Sequence, residues 1–366
     1  MYMYIIRPFS STILYNIQYM KLQTYIAHKR EEIRQSILTF IELKLSIHNN
    51  LPYYKDTLER LKHFVPQGKL LRGVLSICTY EMFNGGKNVH ILDIASAMEF
   101  NQSSLLIHDD IMDQDTVRRG NKTMYAQYMD QPEGIINPLL YGQSMAICVA
   151  DTGFFLASEL LLRSKLEHTV ISVIMEELQL VCAAQMSDVH LAQSTAEPTY
   201  DEIMNVYRYK TGRYTFALPL RVGALSAKAD NSVVDSVEQF GETLGIIFQL
   251  RDDEIKLFGS QESTGTSIAS DIRENKKTLI RHLLYKQATQ KEKQLLNTLF
   301  GKADVGIEGV DEIKKLINKH GILEQIHTDI HAMTETLTAI VETLTIAAEY
   351  RILLQEFIEY NLNRTR

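Results

Sequence analysis

The chain has 366 residues, a formal net charge of −7 and a pI near 5.9, which excludes the basic footprint of a nucleic-acid binder. Hydrophobic residues make up 45% and charged residues 23%, so the chain is not of the disordered class and has apolar surface enough for a large core. With 18 Gly, 7 Pro and no Trp, long helices suit it better than a turn-rich sandwich or barrel.

Residues 1–30 contain Arg7, Lys21, Lys29 and Arg30 but no Asp or Glu. That composition is similar to a weak transit peptide. The other reading is an over-long start, because Met20 opens an amphipathic helix, MKLQTYIAHKREEIRQSILTF. A clean apolar segment with a cleavage site is missing, so no signal peptide is expected. Helical spacing then dominates. Ile33, Ile37, Phe40, Ile41 and Leu45 share one face, as do Ile91, Ile94, Ala95 and Met98. Val170, Val173, Ile174, Leu178, Val181 and Met186 mark a third face. Leu279, Leu283, Leu284, Leu295, Leu296 and Leu299 follow, and Met333 to Tyr360 reads as a helical tail. The longest uncharged run, Gly134 to Ala150, is too short and too polar for a transmembrane helix. Cys78, Cys148 and Cys182 are odd in number and lack CxxC spacing, which argues against a disulfide scaffold or a cysteine zinc site. One large all-α domain is the simplest account.

Two acidic stretches carry the chemistry. In LLIHDDIMDQDTVRRG, Asp109 and Asp113 stand at i, i+4 and Asp110 and Asp113 at i, i+3. Carboxylates packed this closely need cations nearby, and their hard oxygens suit Mg²⁺ bridging to substrate phosphates. Arg118 and Arg119 follow within a short turn, and paired guanidinium groups beside such carboxylates read as a diphosphate site. The second stretch, FQLRDDEIKLFG, brings Asp252, Asp253 and Glu254. Between the two lies KTGRYTF with Lys210 and Thr211. Upstream is GKLLRG, whose Lys69 and Arg72 are expected on one helical face at i, i+3, and downstream is SDIRENKKTL. Two acidic helix ends facing across a bundle, rimmed by cations, would form a cage for two diphosphates.

In this order the motifs resemble the trans-isoprenyl diphosphate synthases, the polyprenyl synthetase family. DDIMD is similar to the family's first aspartate-rich motif, DDEIK stands where the second belongs, and GKLLRG, RRG, KT and FQxxDD fall in sequence around them. The resemblance spans roughly residues 40–360 and implies an all-α bundle around a deep central cavity, usually a homodimer. Residues 31–366 would be the synthetase domain and 1–30 an extension or targeting segment. It implies Mg²⁺, three ions per active site with substrate bound, two held by Asp109 and Asp113 with support from Asp110, and the third by Asp252. Arg118, Lys210 and Lys276 would contact the allylic diphosphate. Lys69, Arg72 and Arg119 would bind isopentenyl diphosphate, with Gln102 where many members have His. Thr211 and Gln249 would face the developing carbocation, and Tyr207 either lines the cavity or packs in the core.

Five positions depart from that family pattern. Gln67 and Leu70 replace a Gly and an Arg, Lys256 replaces the last Asp of the second motif, Thr266 replaces a Lys, and Ala150 replaces a Gly before Asp151. In the family the first Asp of the second motif does most of the metal binding, so activity is expected to survive Lys256. The other reading is that Lys256, at i, i+4 from Asp252, pairs with it and competes with metal, and the sequence leaves the two open.

The implied activity is head-to-tail condensation of isopentenyl diphosphate with an allylic diphosphate. The alternatives are a terpene cyclase on the same fold and a non-catalytic regulatory subunit of a heteromeric prenyl synthase. A cyclase would not need Lys69, Arg72 and Arg119, and the intact DDIMD disfavours a non-catalytic subunit. In the family the product descends beside the helix that ends at the first motif, and a large aromatic one turn below stops it at fifteen carbons. Here that level holds Ser104 and Leu105, with Asn101, Met98 and Ala97 a turn deeper, so geranylgeranyl diphosphate or a longer chain is expected. Ser104 packed against a neighbouring helix is the competing reading. Glu324, His327 and His331, like His190, read as exposed polar residues, and His108 as an ordinary helix residue. A cytoplasmic location is expected, with organellar targeting by residues 1–30 left open.

Overall fold

The computed structural model describes residues 11–48, 50–84, 89–130, 134–259, 270–302 and 304–364. Thr266 and residues 1–10 lie outside them. The helices are α1 (Ser11–Ile47), α2 (Pro52–Phe64), α3 (Leu71–Asn84), α4 (Val89–Met112), α5 (Met124–Met129), α6 (Pro138–Arg163), α7 (His168–Gln193) and α8 (Tyr200–Val206). A π-helix, Tyr207–Ala217, leads into α9 (Leu218–Ser226) and α10 (Asn231–Phe258). Then come α11 (Ser270–Arg273), α12 (Leu279–Gln287), α13 (Gln290–Leu299), α14 (Ile307–Lys319), α15 (Ile322–Thr343) and α16 (Ala348–Asn363). The strands among the described residues are β1 (Val117–Arg118) and β2 (Asn121–Lys122), an antiparallel pair.

Helix α1 buries Ile33, Ile37, Phe40 and Ile41, as its spacing predicts. Burial begins earlier, however. Leu22 is fully buried in the core, with Tyr25 and Ile26 packed beside it, and Lys29 is buried against Glu81. The folded body therefore reaches N-terminal of residue 31. The tail is two helices rather than one. Helix α15 stops at Thr343, and Arg351 of α16 donates to the carbonyls of Val341 and Leu344, satisfying acceptors that the helix end leaves orphaned.

Helix α6 explains how close the central helices come. Gly142, Ala146, Val149, Ala150, Gly153 and Ala157 are all buried and form one narrow face of small residues. That face packs against α4 and α5. A methyl group on Gly153 would collide with Ser104 Oγ of α4, so glycine there sets the approach of the two backbones. The opposite face carries Leu140, Ile147, Phe155 and Leu162, all exposed. Met186, expected on the buried face of α7, is likewise 74% exposed. By length and composition α6 and α7 are apolar enough to cross a membrane, but α6 is packed along one side against α4 and α5. Helix α10 lies in the other half of the core through Phe240, Leu244, Ile247 and Leu250. Each such burial contributes about 1.5–3 kcal/mol relative to exposure, which fixes α10 in register for its acidic last turns.

Candidate active site

Both acidic clusters lie at helix C-termini, where the helix dipole already disfavours negative charge. Asp109 and Asp110 close α4, and Asp113 falls in the turn beyond it, its N–H bonded back to the Asp109 carbonyl. Asp110 is fully buried and ion-paired with Arg118 Nε. Burial pushes its carboxyl up to about 7, against the pull of Arg118. Arg118 is brought there by the β1–β2 hairpin, whose two loop residues, Arg119 (φ 54°) and Gly120 (φ 76°), both take left-handed backbone, as a type I′ turn requires. Arg118 also lies 3.5 Å from Asp109 and 3.7 Å from Asp115.

Asp109 Oδ1 accepts from Gln185 Nε2 at 2.9 Å and stands 3.7 Å from Lys210 Nζ. Lys210 bonds Asp188 more tightly, at 2.6 Å. Burial opposes charge on Asp188, yet Lys210 and Lys276 hold its carboxyl below the usual range. Asp113 faces Lys276 at 3.5 Å. Burial works against the charge on Lys276, but Asp113 keeps it well above the ordinary lysine value. The π-helix, a geometry concentrated at functional sites, carries Lys210 and Thr211.

The second cluster lies in the last two turns of α10. Asp252 Oδ2 is 3.1 Å from Lys256 Nζ, and its Oδ1 is 3.2 Å from Arg364 Nη2. Burial would raise the Asp252 carboxyl, but Lys256 and Arg364 hold it low. Lys256 also reaches Asp271 at 3.8 Å. Asp253 is buried, accepting from Tyr207 Oη and, at 2.7 Å, from Gln249 Nε2. Thr211 Oγ1 donates to Gln249 Oε1 at 2.8 Å. Tyr207 is buried and also accepts the Leu279 N–H at 2.8 Å, so it acts as a support for Asp253 and the chain after α11.

These side chains meet in one cavity of ≈ 190 Å³ that includes Asp109, Asp188, Lys210, Asp252, Lys256 and Lys276 in its lining. Asp188, Gln185, Asp271 and Arg364 were not singled out by sequence reasoning. The i, i+3 pair Gln185 and Asp188 on the apolar helix α7 was the one local signal available; Asp271 and Arg364 reach the site only through tertiary contact.

The expected pairing of Lys69 with Arg72 on one helical face is not what forms. Leu70 takes left-handed backbone (φ 50°) and α3 starts only at Leu71. Lys69 is consequently exposed, while Arg72 turns inward, bonded to Thr215 Oγ1 with its guanidinium 4.6 Å from the Tyr214 ring centre. Burial lowers the Arg72 pKa, partly offset by Tyr214 and by the buried Glu99 carboxylate. Arg119 is exposed and lies against Phe64, with Gly68 leaving it room.

Ser104 does not sit below Asp109. At ~100° per residue, five residues turn it ~140° around the helix, and it is fully buried against Gly153 with no hydrogen-bond partner for its Oγ. Asn101 is buried too. The partly exposed stripe under Asp109 is Gln102, Leu105 and Leu106. His108 lies 3.7 Å from Asp151, and His327 pairs with Glu254 at 3.1 Å on the surface.

The two clusters differ in their fitness for Mg²⁺. Among the described residues no three His, Cys, Asp or Glu side chains converge into a cage. A bound ion would complete its shell with water and substrate oxygens, as Mg²⁺ commonly does. Asp109 and Asp113 fit that use, both being partly exposed, Asp109 in the cavity lining, with cations no nearer than 3.5 Å. Asp252 does not fit, because each of its oxygens already has a cation at 3.1–3.2 Å.

Residues 55–319 match the family described as Polyprenyl synthetase. A short chain isoprenyl diphosphate synthase of Methanocaldococcus jannaschii is 31% identical over 74% of this chain and 80% of its own. A geranylgeranyl diphosphate synthase of Saccharolobus solfataricus is 28% identical over 71% and 75%. A Corynebacterium glutamicum geranylgeranyl pyrophosphate synthase, solved with isoprenyl diphosphate and magnesium, superposes with a TM-score of 0.83 at 28% identity, covering 92% of this chain and 98% of that one. A family match across most of the chain, an all-α bundle and two acidic helix ends around one cavity lead to a single conclusion: the chain belongs to the polyprenyl synthetase family.

Proposed function

We propose that the protein is a prenyltransferase that condenses isopentenyl diphosphate head-to-tail with an allylic diphosphate. The observation that carries the reading is the separation of two cationic sub-sites. Lys210 and Lys276 stand with Asp109 and Asp113 at the acidic cavity, while Arg72 and Arg119 form a second cationic group around the buried Glu99 carboxyl. Two diphosphates are thereby held at once, which a cyclase acting on one would not need. Asp109 and Asp113 would hold two Mg²⁺, which stabilise the charge that develops on a leaving diphosphate. Lys210 and Lys276 supply further positive charge there.

In the reaction the allylic C1–O bond breaks and its electron pair leaves with diphosphate. The isopentenyl double bond attacks C1, forming the new C–C bond. A proton then leaves the adjacent carbon, restoring a double bond, and the departed diphosphate is the base at hand. Thr211, with its proton committed to Gln249, turns oxygen lone pairs toward the cation. Leu191, Ile203 and Val206 supply the apolar part of the cavity wall, the part that keeps water from the cation.

For product length, the stripe beneath Asp109 carries Gln102, Leu105 and Leu106 and no aromatic residue, which supports geranylgeranyl diphosphate or a longer product. A homodimer is supported by the exposed apolar face of α6, whose Phe155 and Leu162 are 75% and 71% exposed. Incubating the protein with Mg²⁺, isopentenyl diphosphate and farnesyl diphosphate and sizing the products tests the activity. Linear chains of twenty carbons or more are expected; cyclic hydrocarbons, or no product, would refute it. Light scattering of the same sample tests the dimer, and a monomer would remove that part.

A further inference from the structure

The second acidic cluster carries its own counter-ions, and both come from side chains. Lys256 Nζ is 3.1 Å from Asp252 and 3.8 Å from Asp271, and Arg364 takes the other Asp252 oxygen at 3.2 Å. Two cations therefore face Asp252 and Asp271, with the buried Asp253 carboxyl beside them. Arg364 is further fixed by its guanidinium, 3.8 Å from the Phe248 ring centre, and by the Phe248 carbonyl. A divalent ion here would have to displace an ammonium or a guanidinium already paired with the carboxylate, which leaves a costly unpaired charge, most of all at the buried Arg364. Lys256 is nevertheless not sealed away. Its side chain is 30% exposed and lines the cavity shared by Lys210 and Lys276. An ammonium has three donors; Asp252, at 3.1 Å, takes one, while Asp271 at 3.8 Å is an ion pair beyond hydrogen-bond reach.

Resting on the prenyl-transfer reading above, we propose that Lys256 is a resident cation in the place of a third Mg²⁺, touching the allylic diphosphate directly, and that Arg364 is a positioning residue that holds Asp252 for it. The site is then built for two Mg²⁺ and one ammonium. The ammonium comes without a binding equilibrium, so the second helix end is ready for a diphosphate at any metal concentration.

The test counts metal rather than turnover. Mn²⁺ binding to the full chain is measured by electron paramagnetic resonance in the presence of inorganic diphosphate. Two ions per chain are expected for the natural protein and three for Lys256→Asp. Lys256→Met should keep two ions and bind diphosphate roughly tenfold more weakly, the loss of one charge-assisted contact. Three ions in the natural protein, with normal product formation, would overturn the inference and leave the prenyl-transfer reading standing. Unchanged diphosphate affinity in a folded Lys256→Met variant would overturn it as well. A natural chain that binds neither Mn²⁺ nor diphosphate would overturn both.

Discussion

Helix α4 and helix α10 each end in a cluster of aspartates, yet the two ends are neutralised in opposite ways. At the end of α4 the cations come from the hairpin that follows it and from two remote elements, and those facing Asp109 and Asp113 stand off at 3.5–3.7 Å. At the end of α10 one cation is four residues along the same helix, and the other closes the pair from the last described residue, Arg364. An acidic helix C-terminus is unfavourable by itself, so both need help. Long contacts leave room for a hydrated divalent ion to enter, whereas short ones fill the carboxylate. The same residue type at the same place in a helix thus becomes a metal ligand or a structural anchor according to what faces it.

The sharpest way to break this comparison is to remove a carboxylate at the first end. Asp109→Ala or Asp113→Ala should lower turnover by a factor of about 10³ or more, since each weakens a metal worth several kcal/mol to the leaving group. Circular dichroism should show the fold intact, and thermal stability should hold or rise slightly as repulsion falls. Near-normal turnover in Asp109→Ala would refute the metal assignment.

A smaller effect separates the two cationic groups. Arg72→Ala should raise KM for isopentenyl diphosphate by about 10–100-fold, with little change for the allylic substrate. Lys69→Ala, on an exposed side chain, should change the same constant by less. Equal effects on both substrates, or Lys69 outweighing Arg72, would dissolve the distinction drawn from the Leu70 backbone.

The smallest expected change in rate, but the clearest in product, concerns the stripe that leads down α4 from the first end. Leu105→Phe should shorten products toward fifteen carbons. Ser104→Phe should instead destabilise the protein by about 1–3 kcal/mol through overpacking, read as a lower melting temperature. Shortened products from a stable Ser104→Phe variant would return Ser104 to the tunnel wall.

Much of this was written in local sequence. The i, i+4 spacing of Asp109 and Asp113 and the buried faces of α1 and α4 follow from helical period alone. The pairing of Lys256 with Asp252 was legible for the same reason. The exceptions each needed information that period does not carry. Leu70 adopts a backbone that interrupts the helix Lys69 and Arg72 were expected to share. Ser104 is the right height below Asp109 and the wrong rotation. Asp188, Asp271 and Arg364 enter through contacts between remote elements, and the break after Thr343 contains neither Gly nor Pro to announce it.

The contact between Ser104 and Gly153 has a consequence for how this sequence can drift. Neither position has slack: one side chain is fully buried, and the other site has no volume for a methyl group. The two are therefore inherited as a pair. A lineage that acquires alanine at 153 must turn aside or surrender the hydroxyl at 104, whose oxygen alone stands in the way, and the double change should be milder than the sum of its parts. Pairwise variation between these two columns among descendants of this gene would be the trace of a single interlocking joint between α4 and α6.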